Sequence, residues 1–347
     1  MAGDGLRPIG TTGLRTRPLA LGTMMLGAWG NRDVDDCVRI VHHALDAGIN
    51  LVDTADVYAD GESESIVGRA LEGRRDDVVL ATKVHGPMGD DPAHRGSSRR
   101  WIMRACEDSL RRLRTDRIDL YQLHHPDPDT DIDETLGALS DLVRQGKVRW
   151  VGTSNFQAEE VVELLWAADR HGHVQVRTEQ PPYSIFVRGP EVALLPTCRR
   201  HCIGVLAYSP LNGGWLTGRH RRGGPAIATG RTAHYPERFD VTLPQNARKL
   251  DALEALASIA GDAGLSVLHL ALGFVAAHPA VCAALIGPRT LEQLEEQLGA
   301  LEVRLSAEVL DAIDRVVPPG TTIDWVDAGY RSAPAAVAWH ERLVSRA

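Results

Sequence analysis

Cysteine is scarce in this chain of 347 residues: there are five, at Cys37, Cys106, Cys198, Cys202 and Cys282. An odd number at scattered spacing argues against a disulfide framework and fits a reducing cytoplasm. Cys198 and Cys202 could share a helix face with His201 nearby, but a structural zinc site needs a fourth ligand at matching spacing, and none is present. No apolar run approaches the roughly 20 residues that span a bilayer. The start, Met1-Ala2-Gly3-Asp4-Gly5-Leu6-Arg7, lacks the apolar stretch of a secretory signal. Excess positive charge is also missing. Net charge is −8, and the basic cluster Arg219 to Arg222 is short and lies in a Gly-rich loop, so neither nucleic acid nor membrane is expected as a partner. No Gly-x-Gly-x-x-Gly opens the first helix, which weakens a doubly wound dinucleotide fold. The glycine-dense stretch Gly213 to Gly218 has the wrong spacing. No linker or composition break divides residues 1–347, so one domain is expected.

What is present is an alternation of short apolar runs with helical spacing. Strands are expected at Pro18 to Gly22, into Asp53, at Val78 to Lys83, Ile118 to His124, Val148 to Asn155, Val174 to Gln180, Gly204 to Pro210 and Val281 to Ile286. Helices are expected at Asp33 to Ala47, Glu62 to Leu71, Ser98 to Arg114, Asp133 to Gln145, Ala158 to Arg170, Pro190 to His201, Ala247 to Ala260, Ser266 to Ala277, Leu291 to Leu298 and Ala307 to Val317. Strands that are apolar throughout belong to a parallel sheet covered on both faces. Eight strand–helix units in about 300 residues fit a (β/α)8 barrel. The core spans about 6–317. A long loop, Leu211 to Pro244, follows the seventh strand and is a lid or binding-loop candidate. A tail, 318–347, holds an Ala/Pro-rich segment from Ser332 to Val337.

In such a barrel chemistry gathers at the C-terminal ends of the strands. Those ends carry Thr23 and Met24, Asp53, Lys83, His124, Ser154 and Asn155, Gln180, Tyr208 and Ser209, and Gly287 with Arg289. Asp53 and Tyr58, met alone, read first as an ordinary loop carboxylate and an ordinary rim aromatic. Lys83 reads alone as a solvated strand end, and His124 as a loop histidine. Together they make an acid–base unit. A phenol with a pKa near ~10 is a poor proton donor–acceptor at neutral pH. A neighbouring ammonium should lower that value, and a carboxylate should keep the ammonium charged and aimed. An imidazole can orient a carbonyl oxygen.

Asp53 to Tyr58, Ala81-Thr82-Lys83, Asp119 to His124 with Pro126-Asp127, Gly152 to Phe156, Glu179 to Tyr183, Tyr208 to Leu211, and Ile286 to Arg289 with Gln293 to Glu296 resemble the aldo-keto reductases, in order along the chain from about 6 to about 317. The resemblance implies a (β/α)8 barrel that binds NADPH in extended form and reduces carbonyls by hydride transfer. It implies Tyr58 as proton donor, Asp53 and Lys83 as its tuning pair and His124 as the substrate-orienting partner. It implies that Ser154, Asn155 and Gln180 contact the nicotinamide carboxamide and that Tyr208 stacks on the ring. Thr23 and Met24 lie at the first strand end. Ser209, Pro210, Leu211, Gly213 and Arg219 follow the pyrophosphate path. Gly287, Arg289, Gln293 and Glu296 match the adenosine 2′-phosphate segment. Arg289, just before a helix N-terminus, is also a sound phosphate site on physical grounds, and it favours NADPH over NADH. Gln297 stands where the family often has Asn, which alters one adenine contact.

The expected function is reduction of a small-molecule aldehyde or ketone by an NADP-dependent oxidoreductase. The reverse direction is also open. The alternative is a nicotinamide-sensing regulatory subunit like the potassium-channel β subunits; those commonly lack a histidine at the position of His124. A metal-dependent hydrolase would need ligands where Lys83 stands, and no metal is expected. The substrate pocket is expected from Met24, Met25, Trp29, His85, His125 and the Leu211–Pro244 loop, with the tail covering one side. A homo-oligomer is compatible with the sequence but not legible in it.

Overall fold

A computed structural model describes residues 5–220 and 236–329. Its centre is a closed barrel of eight parallel strands. In chain order these are β3 (Leu19–Gly22), β4 (Leu51–Asp53), β5 (Val79–Val84), β6 (Ile118–Leu123), β7 (Val148–Ser154), β8 (Val176–Gln180), β9 (Gly204–Ala207) and β10 (Val281–Ile286). β10 pairs with both β9 and β3, which closes the sheet and leaves no edge. The eight strands lie where the sequence places them. The single-domain (β/α)8 barrel is therefore the fold.

Strand alternation sorts the core into two layers. Ala20, Leu51, Val79, Ala81, Leu120, Leu206, Ala283 and Leu285 fill the barrel interior. Leu19, Leu21, Val52, Leu80, Tyr121, Val205 and Ile286 face outward against the helices. The same alternation points Asp53, Lys83, Gln122 and Gln180 inward, one pleat beyond the apolar plug. Gly152 is needed on this inner face, because a Cβ there would stand 2.1 Å from the Thr178 hydroxyl and 3.2 Å from the Gln122 side chain.

Around the barrel lie α1 (Val34–Asp46), α2 (Glu62–Ala70), α3 (Arg99–Leu113), α4 (Ile132–Arg144), α5 (Ala158–His171), α6 (Leu194–Arg200), α7 (Pro244–Asp262), α8 (Val267–Ala277), α9 (Leu291–Leu298) and α10 (Ala307–Val316). Side-chain oxygens of Asp33, Ser98, Ser266, Thr290 and Ser306 cap the starts of α1, α3, α8, α9 and α10. Among the described residues no single helix is long and apolar enough to cross a membrane.

Several boundaries differ from expectation. α7 begins at Pro244, not Ala247, because proline is well placed in a first helical turn. α6 begins at Leu194, and Gly189–Glu191 is a separate 3-10 turn. β8 starts at Val176. β9 stops at Ala207, and Tyr208 reaches Pro182 only through an isolated bridge. Cys198 is buried and Cys202 exposed, so the two do not share a face.

The N-terminal hairpin has no counterpart in the sequence reading, whereas the tail is expected there to cover one side of the pocket. The hairpin, β1 (Arg7–Pro8) against β2 (Arg15–Thr16), presses Ile9 into the barrel interior. At the other end, the chain after α10 runs back beside Val187. Arg188 donates its N–H to Thr321 (2.8 Å) and Ile323 to Phe186 (3.0 Å). The Lys249 ammonium, fully buried on α7, then donates to Asp324 at 2.8 Å and forms an ion pair with Asp327 at 2.5 Å. Arg238 also pairs with Asp327. The described tail thus crosses the mouth of the barrel. Arg221, Arg222, the middle of the Leu211–Pro244 loop and the Ser332–Val337 segment lie outside the described residues.

Candidate active site

Lys83 sits one residue before the end of β5, with its ammonium wholly buried. It donates to Asp53 Oδ1 at 2.5 Å, to the Thr54 carbonyl at 2.8 Å and to Tyr58 Oη at 3.2 Å. The other carboxylate oxygen, Asp53 Oδ2, accepts from Gln122 Nε2 at 3.0 Å and Gln180 Nε2 at 2.9 Å. One buried carboxylate is therefore fully paired by an ammonium and two amides. Gln122 was not anticipated as a site residue. The signal was available, since it lies one pleat before His124 and on the inward alternation of β6.

Tyr58 opens a 3-10 turn, Tyr58–Gly61, in which Ala59, Asp60 and Gly61 all have positive φ (49°, 53° and 89°). Such a turn holds the phenol over Lys83 instead of letting α2 begin directly. The ammonium is 4.9 Å from the Tyr58 ring centre. His124, which follows β6, meets the Tyr58 ring edge-on with centres 5.7 Å apart.

The electrostatics correct one expectation. Lys83 was expected to lower the Tyr58 pKa. Instead burial raises it above the ordinary phenol value; Lys83 opposes the shift, and Asp53 adds to it. The phenol therefore holds its proton at neutral pH. Burial alone would pull Lys83 down, but Asp53 and Tyr58 hold its ammonium above the ordinary lysine value. Burial, then Lys83, His125 and His85, push the His124 imidazole well below its usual range, so it is uncharged. The resting unit is a protonated phenol beside a charged ammonium and a neutral imidazole.

A cleft of about 500 Å³ opens from this unit. Every residue named from the sequence for catalysis or cofactor binding lines it, except Lys83, which lies beneath the floor. Ser154 Oγ donates to the Gln180 carbonyl at 2.9 Å. Asn155 joins two walls, giving its amide N–H to the His124 carbonyl (3.0 Å) and accepting from Tyr208 Oη (2.7 Å). At the far end the Arg289 N–H donates to Gln293 Oε1 (2.9 Å), while Asn31, another residue not anticipated, holds the Arg289 carbonyl at 2.8 Å. The Arg219 guanidinium stands 4.0 Å from Glu296. Arg238 and Phe239 of the expected Leu211–Pro244 loop, and Asp327 and Gly329 of the tail, also line the cleft, although the sequence does not single out these individual residues. A Cβ at Gly329 (φ 81°) would stand 2.4 Å from Tyr208 Oη, so only glycine lets the tail pass this close. Of the expected pocket walls, Met24, Met25 and His125 line the cleft. Trp29 lies beside it, 6.1 Å from the Tyr58 ring, and His85 packs against His125.

Two features of the cleft suit a nucleotide cofactor. Gln297 Oε1 is buried at its far end with no hydrogen-bond partner, and it suits an exocyclic amine. The Arg289 guanidinium has no ion-pair partner among the described residues and suits a phosphate. Among the described residues no group of three or more His, Cys, Asp or Glu could hold a metal ion.

A family model described as "Aldo/keto reductase family" matches residues 18–318. "Uncharacterized oxidoreductase YrpG" of Bacillus subtilis (strain 168) is 37% identical over 343 residues, covering 95% of this chain and 98% of the relative. "Aldo-keto reductase YhdN" of the same organism is 37% identical over 292 residues, covering 83% and 86%. "Probable voltage-gated potassium channel subunit beta" of Arabidopsis thaliana is 34% identical over 310 residues, covering 86% and 94%.

Proposed function

The chain belongs to the aldo/keto reductase family of oxidoreductases, and we propose that it reduces an aldehyde or ketone to an alcohol with NADPH, using Tyr58 as the proton donor. The observation that carries this reading is the Lys83–Tyr58 contact of 3.2 Å beneath a neutral His124. When bound, a reduced nicotinamide supplies the hydride that reaches the carbonyl carbon.

The protein's own residues do the rest. His124 orients the carbonyl oxygen with a hydrogen bond from an uncharged ring. Tyr58 gives its proton to that oxygen as negative charge develops there. The phenolate left behind is stabilised by the Lys83 ammonium, which Asp53 keeps charged. Gln122 and Gln180 hold Asp53 still, so the charges need little rearrangement during the step. Ser154, Asn155 and Gln180 would hold the nicotinamide amide, and Tyr208 its ring. Ser209 to Gly213 and Arg219 would follow the pyrophosphate. Arg289, Gln293, Glu296 and Gln297 would take the adenosine end. Arg289 favours the 2′-phosphate of NADPH over the 2′-hydroxyl of NADH.

The test is NADPH oxidation across a panel of aryl aldehydes, ketosugars and methylglyoxal, with NADH in parallel. Turnover that needs Tyr58 supports the reading. The potassium-channel relatives favour a second one, a cofactor-sensing subunit. Tight NADPH binding with no turnover on any carbonyl, and no effect of Tyr58→Phe, would establish that alternative.

A further inference from the structure

We propose that Asn31 is a positioning residue for the cofactor's 2′-phosphate: it holds Arg289 in place for that anion and so widens the preference for NADPH over NADH. This rests on the reading of Arg289 given above.

Asn31 lies on the loop between β3 and α1, 258 positions before Arg289. The loop fixes its backbone. Its N–H donates to the Met25 carbonyl at 2.9 Å, and its own carbonyl accepts from the Gly27 N–H at 2.8 Å and from Cys37 Sγ at 3.2 Å. Gly30 lets the loop turn this tightly, because a Cβ there would stand 2.3 Å from the Met25 carbonyl oxygen. The side chain is equally determined. Oδ1 accepts from the Asp33 N–H at 3.0 Å. Nδ2 donates to the Arg289 carbonyl at 2.8 Å and to Asp36 Oδ2 at 2.6 Å. A flipped amide would set Oδ1 against two acceptors and Nδ2 against a donor, so one orientation alone satisfies all three partners.

Arg289 precedes Thr290, the N-cap of α9. Gln293, in the first turn of that helix, takes its N–H, and Asn31 takes its carbonyl. The first tie is local. The second reaches across from the first strand–helix unit, whose strand β3 pairs with β10. With both backbone groups held, only the side-chain torsions of Arg289 are left to order when an anion binds, which lowers the entropic cost of binding. Asp36 supplies the other half of the argument. One Asn31 amide nitrogen touches both this carboxylate and the Arg289 carbonyl, so Asp36 is the anion at hand to compete for the guanidinium. Its Oδ2 is taken by Asn31 and its Oδ1 by Arg39 at 2.9 Å. The Arg289 guanidinium is thereby left without an ion-pair partner among the described residues. Asn31 both aims the arginine and keeps it available.

The experiment measures Kd for NADPH and for NADH by fluorescence titration on wild type, Asn31→Ala, Arg289→Ala and the double variant. Asn31→Ala is expected to weaken NADPH binding about five- to ten-fold, the worth of one hydrogen bond of this kind, and to leave NADH within about two-fold. The double variant should bind NADPH no more weakly than Arg289→Ala, because Asn31 acts through Arg289. The ratio of the two constants within one variant does not depend on how much of that variant folds. Equal weakening of both cofactors in Asn31→Ala would mean that the residue only supports the cleft wall, and losses that add in the double variant would mean that it acts apart from Arg289. Either result overturns the proposal. So does an unchanged ratio in Asn31→Ala beside a lowered ratio in Arg289→Ala, which leaves the Arg289 reading standing. A wild type that does not favour NADPH, or an Arg289→Ala variant with an unchanged ratio, overturns that reading and the proposal together.

Discussion

Gln180 Nε2 lies 2.9 Å from Asp53 Oδ2, a bond across the barrel mouth between residues 127 positions apart. It joins the sixth barrel strand to the second, and Gln122 on the fourth completes the grip at 3.0 Å. Asp53 is thus fixed by the barrel frame and not only by Lys83. Replacing Asp53 with Asn leaves the Lys83 ammonium buried without its counter-charge, a change that costs about 3–5 kcal/mol in a fully desolvated site. Asp53→Asn is expected to lower stability by that order in chemical denaturation and to cut kcat about a hundred-fold. A variant with wild-type stability would show that Lys83 does not depend on Asp53 for its charge.

On the proposed reading, the preference for NADPH turns on Arg289. Arg289→Ala should weaken NADPH binding about ten- to a hundred-fold, the loss of charge-assisted hydrogen bonds to a phosphate. NADH affinity should stay within a few-fold. Fluorescence titration with both cofactors separates the two. Equal weakening would mean that Arg289 supports the cleft wall and does not read the 2′-phosphate.

Glu179 gives a pH signature in stability. Burial pushes its carboxyl up to about 8, and the hydrogen bonds it accepts only partly offset this. A carboxyl raised in the folded state favours folding most below its unfolded value, and that contribution is lost as pH rises toward the folded value. Stability should therefore fall between roughly pH 4.5 and pH 8 from this group and level off above. Glu179→Gln should flatten that slope in melting temperature measured against pH. An unchanged slope would assign the pH response to other groups.

The tail is held by charge. Lys249 is buried between Asp324 and Asp327, and Arg238 pairs with Asp327. Lys249→Met leaves two largely buried carboxylates short of their partner and should destabilise the protein by about 3–5 kcal/mol. Asp327 and Gly329 line the cleft, so NADPH should also leave faster, as stopped-flow displacement would record. Faster release without lost stability would separate the strap from the fold.

Much of this molecule was legible in its sequence because a (β/α)8 barrel writes itself in two periods. Apolar runs ending at Asp53, Lys83 and Gln180 marked strands, and polar residues at those ends marked the mouth. What stayed hidden depends on contacts across long separations. The Lys249–Asp324 pair spans 75 positions, and no local pattern announces it. The β1–β2 hairpin is two residues long on each side, too short to show alternation. Gln122 was read as part of a strand motif, since its role appears only once the closed barrel turns it toward Asp53. The direction of the Tyr58 shift was misjudged because sequence shows the neighbouring ammonium but not the burial that outweighs it.

The central claim is that Tyr58 delivers the proton. The direct measurement is carbonyl-dependent NADPH oxidation by Tyr58→Phe, with NADPH affinity determined on the same preparation. The expected result is loss of reduction to background while NADPH Kd stays within a few-fold of wild type. Reduction at near wild-type rate by Tyr58→Phe would contradict the account.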